Sequence, residues 1–215
     1  MIKLRIDVDY PYPSRAKSFL YTYLGWRTKR GYLAYAKMLA DLINNSIPEV
    51  KAMWFFNIHA LPDDEMLALL SGSQHEIGLH VVNNPEEELA QLEQVSTKSV
   101  EYYTIHGTER LLGQIVWHRP LGQKQVKVPQ DFRLKSYHEF PTNGLDWLCY
   151  NTDAKAALII ANDWVRQGIV LEAHPEWIIK KGKINHRGPY KEVLTKLLHA
   201  PPVSVEVSDK HKVKC

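Results

Sequence analysis

Two carboxylates one residue apart, Asp7 and Asp9, close an otherwise apolar stretch near the start of the chain. Side chains alternate along a strand, so positions i and i+2 point the same way and the two carboxylates share one pocket. Like charges that close push one pKa upward unless a cation stands between them. A divalent ion is the natural cation, with one carboxylate binding it and the other serving as a base. A plain turn is the competing reading, since Asp before Tyr-Pro at a strand end is ordinary. The second feature is a set of ten histidines. Histidine titrates near neutrality and is the commonest metal ligand. His59, His80, His106, His118, His138 and His174 each follow a predicted strand, whereas His75, His186, His199 and His211 do not.

The elements that would position these groups alternate between short apolar strands and amphipathic helices. Strands are predicted at Lys3–Val8, Ala52–Ile58, Glu76–Leu79, Tyr102–Ile105, Gln114–Trp117, Phe132–Tyr137, Ile169–Glu172 and Val203–Val207. Helices are predicted over Gly31–Asn44, from Pro62, from Asn84, over Asp153–Gln167 and over Tyr190–Leu198. Pro62 with Asp63, Asp64 and Glu65 is a helix start, because proline suits the first position and acids suit the positive end of the dipole. Asn84-Pro85-Glu86-Glu87 offers an N-cap, a first-position proline and a Glu that can close a capping box. Gly168 ends the helix before it. Strand–helix alternation with doubly apolar strands argues for a parallel sheet covered by helices. Seven or eight such units in 215 residues fit a small, irregular (β/α) barrel, with an open doubly wound sheet as the alternative. A barrel gathers its active site at the carboxyl ends of its strands, where the Asp pair and the six histidines fall.

Several stretches resemble the NodB-homology polysaccharide deacetylases, carbohydrate esterase family 4. The family opens on an aspartate pair at the end of its first strand, matched by Ile6-Asp7-Val8-Asp9. Its "ATFF" strand is matched by Ala52-Met53-Trp54-Phe55-Phe56, and its "HEIGxH" strand by His75-Glu76-Ile77-Gly78-Leu79-His80. Its closing L-x-x-H is matched by Leu171-Glu172-Ala173-His174. The resemblance implies an irregular (β/α)7-type barrel of the deacetylase kind and hydrolysis of an acyl group, acetyl above all, from a carbohydrate-like substrate. It implies that Asp7 is the general base, that Asp9 and His80 bind one divalent metal of the zinc class, and that His174 is the general acid. A zinc-class ion lowers the pKa of bound water toward 7 and polarises an acyl carbonyl, which suits that chemistry.

The chain also departs from the family. The usual third ligand is a histidine four residues after the first, and Asn84 stands there, with helix capping as its competing role. His106 is the first candidate to replace it and His59 the second. Arg119, in a shortened Arg-Pro motif, is a candidate to orient the base, with a structural arginine as the competing reading. Asp146, in an acid-Trp motif, is a candidate to hold Arg119 or His174, and a turn at Asn143-Gly144 explains it as well. Tyr10 and Trp177 are candidates for substrate contact. The aromatic cluster of Tyr10, Tyr12, Tyr21, Tyr23 and Trp26 would either stack a sugar ring or pack the barrel edge. Loss of the third ligand at Asn84 leaves a second function open: a non-catalytic barrel that binds a saccharide or serves as a scaffold.

Composition narrows the remaining classes. Lys+Arg 27 against Asp+Glu 24, a net charge of +3, is too balanced to argue for a nucleic-acid partner. Two cysteines, Cys149 and Cys215, cannot build a disulfide framework or a CxxC zinc site. No apolar run approaches the roughly 20 residues that span a membrane. The charged N-terminus does not read as a signal peptide, so a cytoplasmic location is expected. One domain over 1–215 is the simplest organisation, with the lysine-bearing tail 209–215 as a solvated end.

Overall fold

The computed structural model describes residues 1–25, 28–96, 98–105, 126–175 and 189–199. Its strands are β1 Ile2–Val8, β2 Val50–Phe56, β3 His75–Val81, β4 Val100–Ile105, β5 Lys135–Ser136, β6 Thr142–Gly144 and β7 Val170–Ala173. Its helices are α1 Arg15–Leu24, α2 Ala34–Asn44, α3 Asp64–Leu69, α4 Pro85–Val95, α5 Leu145–Asn151, α6 Ala154–Arg166 and α7 Tyr190–His199. A 3₁₀ turn at Tyr137–Glu139 follows β5. No helix among the described residues is long and apolar enough to cross a membrane.

The strands form one parallel sheet in the order β5-β4-β3-β2-β1-β7-β6. Each step from β1 to β5 moves one place in the same direction, and β6 and β7 then arrive on the other side of β1. That is the order of a single circuit, with β7 closing onto β1 through the pairs Leu4–Leu171, Arg5–Glu172 and Ile6–Ala173. A doubly wound sheet would instead reverse direction part-way. The sheet is curled into a half-barrel compatible with a (β/α) barrel.

Alternation along the strands sorts the two faces. Ile2, Leu4, Ile6 and Val8 of β1, Ala52, Trp54 and Phe56 of β2, and Ile77, Leu79 and Val81 of β3 join the main core with the helices. The other face carries a smaller cluster of Met53, Phe55, Tyr137 and Val170, with Tyr102 packed against it. β2 is therefore apolar on both faces, as its sequence predicts. Gly78 has a specific reason to lack a side chain. A Cβ there would collide with the Phe55 ring, 2.6 Å from its Cδ1, and lie 3.0 Å from the Tyr102 carbonyl oxygen.

Local signals place most helix ends. Asn84 caps α4 with Pro85 at its first turn, and Asp153 caps α6 through amides of Lys155 and Ala156, both 2.9 Å away. Gly168 follows α6 in the left-handed region at φ 75°. Other boundaries shift. Asp63 is the N-cap of α3 rather than part of its first turn, because its Oδ1 accepts from the Met66 amide at 3.0 Å. α2 begins at Ala34, three residues later than Gly31, because Leu33 sits at φ 51° with its amide donating to the Pro11 carbonyl at 2.8 Å. The predicted strand Phe132–Tyr137 shrinks to Lys135–Ser136, since Ser136 Oγ accepts from the His138 amide and starts the 3₁₀ turn. α1, α5 and β6 were not predicted. The strands predicted at Gln114–Trp117 and Val203–Val207 lie outside the described residues.

Candidate metal and acid–base site

The second face of β1 carries Arg5 and Asp7 into the inside of the curl. Asp7 is 2% exposed, and the Arg5 guanidinium forks it: Nε donates to Oδ1 at 3.0 Å and Nη2 to Oδ2 at 2.5 Å. Burial alone would push the Asp7 carboxyl up, but the Arg5 charge, with His80 adding to it, holds it below the usual range. Nη2 of Arg5 also lies 3.6 Å from Glu172 Oε1 on the paired strand β7. Burial, then the charge of Asp7, raises the Glu172 carboxyl. The like-charge argument for a cation beside Asp7 thus has an answer within the chain itself, a guanidinium two residues away.

Asp9 lies just beyond β1. The fully buried Asn57, after β2, ties down this end by donating from Nδ2 to the carbonyls of Val8 (3.3 Å) and Asp9 (3.1 Å). His80 comes from β3, beside Thr104 of β4 in the strand register. Its Nδ1 is hydrogen-bonded to Thr104 Oγ1 at 2.6 Å, which aims Nε2 at Asp9 Oδ1, 3.2 Å away. The loop after His80 is braced by the buried Glu88 carboxylate, which accepts from the amides of Val82 (2.8 Å), Asn83 (2.7 Å) and Asn84 (3.1 Å).

His174 follows β7. Its Nδ1 is 2.7 Å from Oδ2 of Asp146, a buried residue in the first turn of α5, and its Nε2 is 3.8 Å from Asp9 Oδ2. Asp146 is itself fixed by the Trp147 amide, which donates to Oδ1 at 2.7 Å. Asp7, Asp9, His80, His174 and Asp146 therefore converge from β1, β3, β7 and α5. Asp7, Glu172 and His174 form a group that could hold a metal ion, their ligand atoms all within 4.8 Å of one another.

The remaining candidates separate. Asn84 is exposed, and its Oδ1 accepts from the Glu87 amide at 3.4 Å, so this side chain caps α4. His59 lies half-buried on the turn after β2, its amide donating to Asn57 Oδ1 at 2.9 Å. Tyr10 is half-buried and lines a cleft with Pro11, Pro13, Leu33, Tyr35 and Pro175. Tyr12 and Tyr21 pack edge-on and join Tyr32, with the Tyr12 hydroxyl donating to the Thr28 carbonyl, so this part of the aromatic cluster is packing. His106, Arg119 and Trp177 lie outside the described residues.

His75 is a structural residue. Trp54 Nε1 donates to its Nδ1 at 3.0 Å, so the proton is on Nε2, which donates to Asn44 Oδ1 at 2.8 Å. Burial, helped by Lys98, lowers its pKa to about 4.

No family model matches the chain, and neither a curated protein nor a solved structure matches it. The site must be read from its own chemistry. Arg5, Glu172, Asn57 and Thr104 were missed by the sequence reading. For Arg5 and Glu172 the signal was present: each lies two residues before a singled-out group, Asp7 and His174, on the same strand face. Asn57 and Thr104 gave no such signal, because their partners come from other strands.

Proposed function

We propose that the chain is a metal-dependent hydrolase that removes an acyl group, acetyl above all, from a carbohydrate-like substrate. The observation that carries this reading is the placement of Asp9 between two imidazoles, with His174 backed by a buried carboxylate. Asp9 Oδ1 and His80 Nε2 are 3.2 Å apart, the spacing of two ligands each about 2.0–2.2 Å from one tetrahedral ion. An imidazole held at its other nitrogen, as Thr104 holds His80, is the usual support for a ligating histidine. One carboxylate and one imidazole suit a zinc-class ion, with His106 and His59 as the candidates to complete the set. When bound, such an ion supplies a water of lowered pKa and polarises the acyl carbonyl.

The acid–base work falls to the protein. Asp7, kept ionised by Arg5, takes the proton of the attacking water as its oxygen bonds to the acyl carbon. His174 gives a proton to the leaving nitrogen or oxygen as the bond from that atom to the acyl carbon breaks. Asp146 at Nδ1 holds the His174 ring and turns Nε2 toward the reacting atoms. The resemblance to the NodB-homology deacetylases supports these roles.

The test is metal analysis of the purified chain with acetate release from N-acetylated sugars. One divalent ion per chain is expected, lost in Asp9→Ala. Asp7→Asn should keep the ion and lose about 10²–10⁴-fold in turnover, the usual worth of a positioned base. A wild-type chain that binds no divalent ion and releases no acetate overturns the reading. Saccharide binding by that inert chain would establish the non-catalytic alternative, which the capping role of Asn84 favours.

A further inference from the structure

We propose that Arg5 is a metal-excluding residue: its guanidinium fills the Asp7–Glu172–His174 cluster and keeps any ion out of it. The exclusion stands by itself; its consequence, that Asp7 stays available as a base and the ion goes to Asp9 and His80, rests on the hydrolase reading above.

The cluster has what a metal site needs. Two carboxylates and an imidazole come from adjacent strands, with ligand atoms within 4.8 Å of one another. Side-chain rotation would have to draw them in to about 2.0–2.2 Å from a shared ion. Arg5 stands against that contraction. It is 6% exposed, sits directly across from Glu172 in the β1–β7 register, and touches Asp7 through two nitrogens while one of them faces Glu172 at 3.6 Å. Its charge thus already serves both carboxylates. A divalent ion among them would meet a fixed positive charge at short range, where burial leaves little screening.

The guanidinium is also held where it is. Its Cζ lies 5.9 Å from the Phe55 ring centroid, and Phe55 occupies the space that a side chain at position 78 would take. A planar fork over an aromatic face is a geometry that arginine makes and lysine does not. Arg5 therefore does for the inner carboxylates what a second ion would do, without leaving a vacancy for one.

The test compares chelator-treated full-length chains in the Asp9→Ala background, which removes the proposed functional ion. Zn2+ binding is measured by titration calorimetry and by the shift in melting temperature on adding Zn2+. Asp9→Ala/Arg5→Met should bind one Zn2+ per chain at least about tenfold more tightly than Asp9→Ala and melt higher with it, since a ligand of the folded state stabilises that state. Adding Glu172→Gln should abolish the gain.

Removing Arg5 leaves buried carboxylates uncompensated, so a folding defect in Arg5→Met is itself read out: Zn2+ should restore its far-ultraviolet circular dichroism in a Glu172-dependent way. Arg5→Lys, which keeps a charge but cannot fork Asp7, is measured alongside and should show a smaller gain of the same dependence. Absence of a Glu172-dependent gain in both Arg5 variants overturns the proposal. So does a wild-type chain whose bound ion is lost in Glu172→Gln but kept in Asp9→Ala. A wild-type chain that takes up no ion, beside an Arg5 variant that does, would end the hydrolase reading and leave this one standing.

Discussion

Oδ2 of Asp146 lies 2.7 Å from Nδ1 of His174, joining the first turn of α5 to the end of β7 across 28 positions of sequence. The contact fixes which nitrogen of His174 faces Asp9. It leaves Nε2 as the atom that can exchange a proton with a substrate.

Asp146→Asn should therefore act on turnover more than on folding. An amide keeps the shape of the side chain but removes the carboxylate charge beside Nδ1. Acetate release should fall about 10²-fold or more with KM little changed, since proton transfer by a positioned group is worth that much. Steady-state kinetics beside a thermal melt check this; an unchanged kcat would remove Asp146 from the acid–base machinery.

His75 predicts a pH dependence of stability. Its folded pKa, about 4, lies below the ordinary histidine value of about 6.5. A depressed histidine pKa means that the unfolded chain binds the proton more readily. Its contribution is complete above about pH 6.5 and is lost as pH falls toward about 4. The size is about 3 kcal/mol at 1.36 kcal/mol per unit. Urea unfolding at pH 7 and pH 4.5 should show a smaller fall in stability for His75→Gln than for wild type. Equal falls would mean that His75 is not the titrating group.

Gly78→Ala tests the packing beneath the site. The added Cβ would lie 2.6 Å from Cδ1 of Phe55 and 3.0 Å from a backbone oxygen, and the backbone cannot yield as a flexible tip would. Overpacking of this kind costs about 1–3 kcal/mol. Pairing it with Phe55→Leu should recover part of the loss, because residues in contact couple in double-mutant cycles. Denaturant midpoints of the four proteins decide it.

Asn84→Ala separates capping from coordination. Loss of an N-cap costs about 0.5–2 kcal/mol. The expected result is that loss of stability with metal content unchanged. A chain that releases its ion on this substitution would return Asn84 to the ligand set.

What could be read without the structure was local. Apolar alternation marks β1, because a strand's two faces are set by every second residue, and an unbroken apolar run marks β2, which is buried on both. Asn84-Pro85 and Asp153 mark helix starts because a cap is made within one turn. The Asp7/Asp9 pair and the His80 and His174 strand ends were legible in the same way. Even Arg5 and Glu172 carried a local signal, the i, i+2 spacing, although a charge in an apolar strand looks like an interruption until its partner is known.

Tertiary structure decided everything that depends on which strands become neighbours. Pairing of β7 with β1 brings Glu172 beside Arg5, and the β3–β4 register brings Thr104 to His80. The turn that buries Asp146 brings it to His174. These contacts join positions 24 to 167 residues apart, taking His80–Thr104 and Arg5–Glu172 as the limits. Their energies come from burial and from charges meeting in a poorly solvated interior, terms that do not exist until the sheet has curled. The sequence by itself determined the residue types and the face each would occupy. Only the pairing of β7 with β1 decided that the arginine beside Asp7 also faces Glu172.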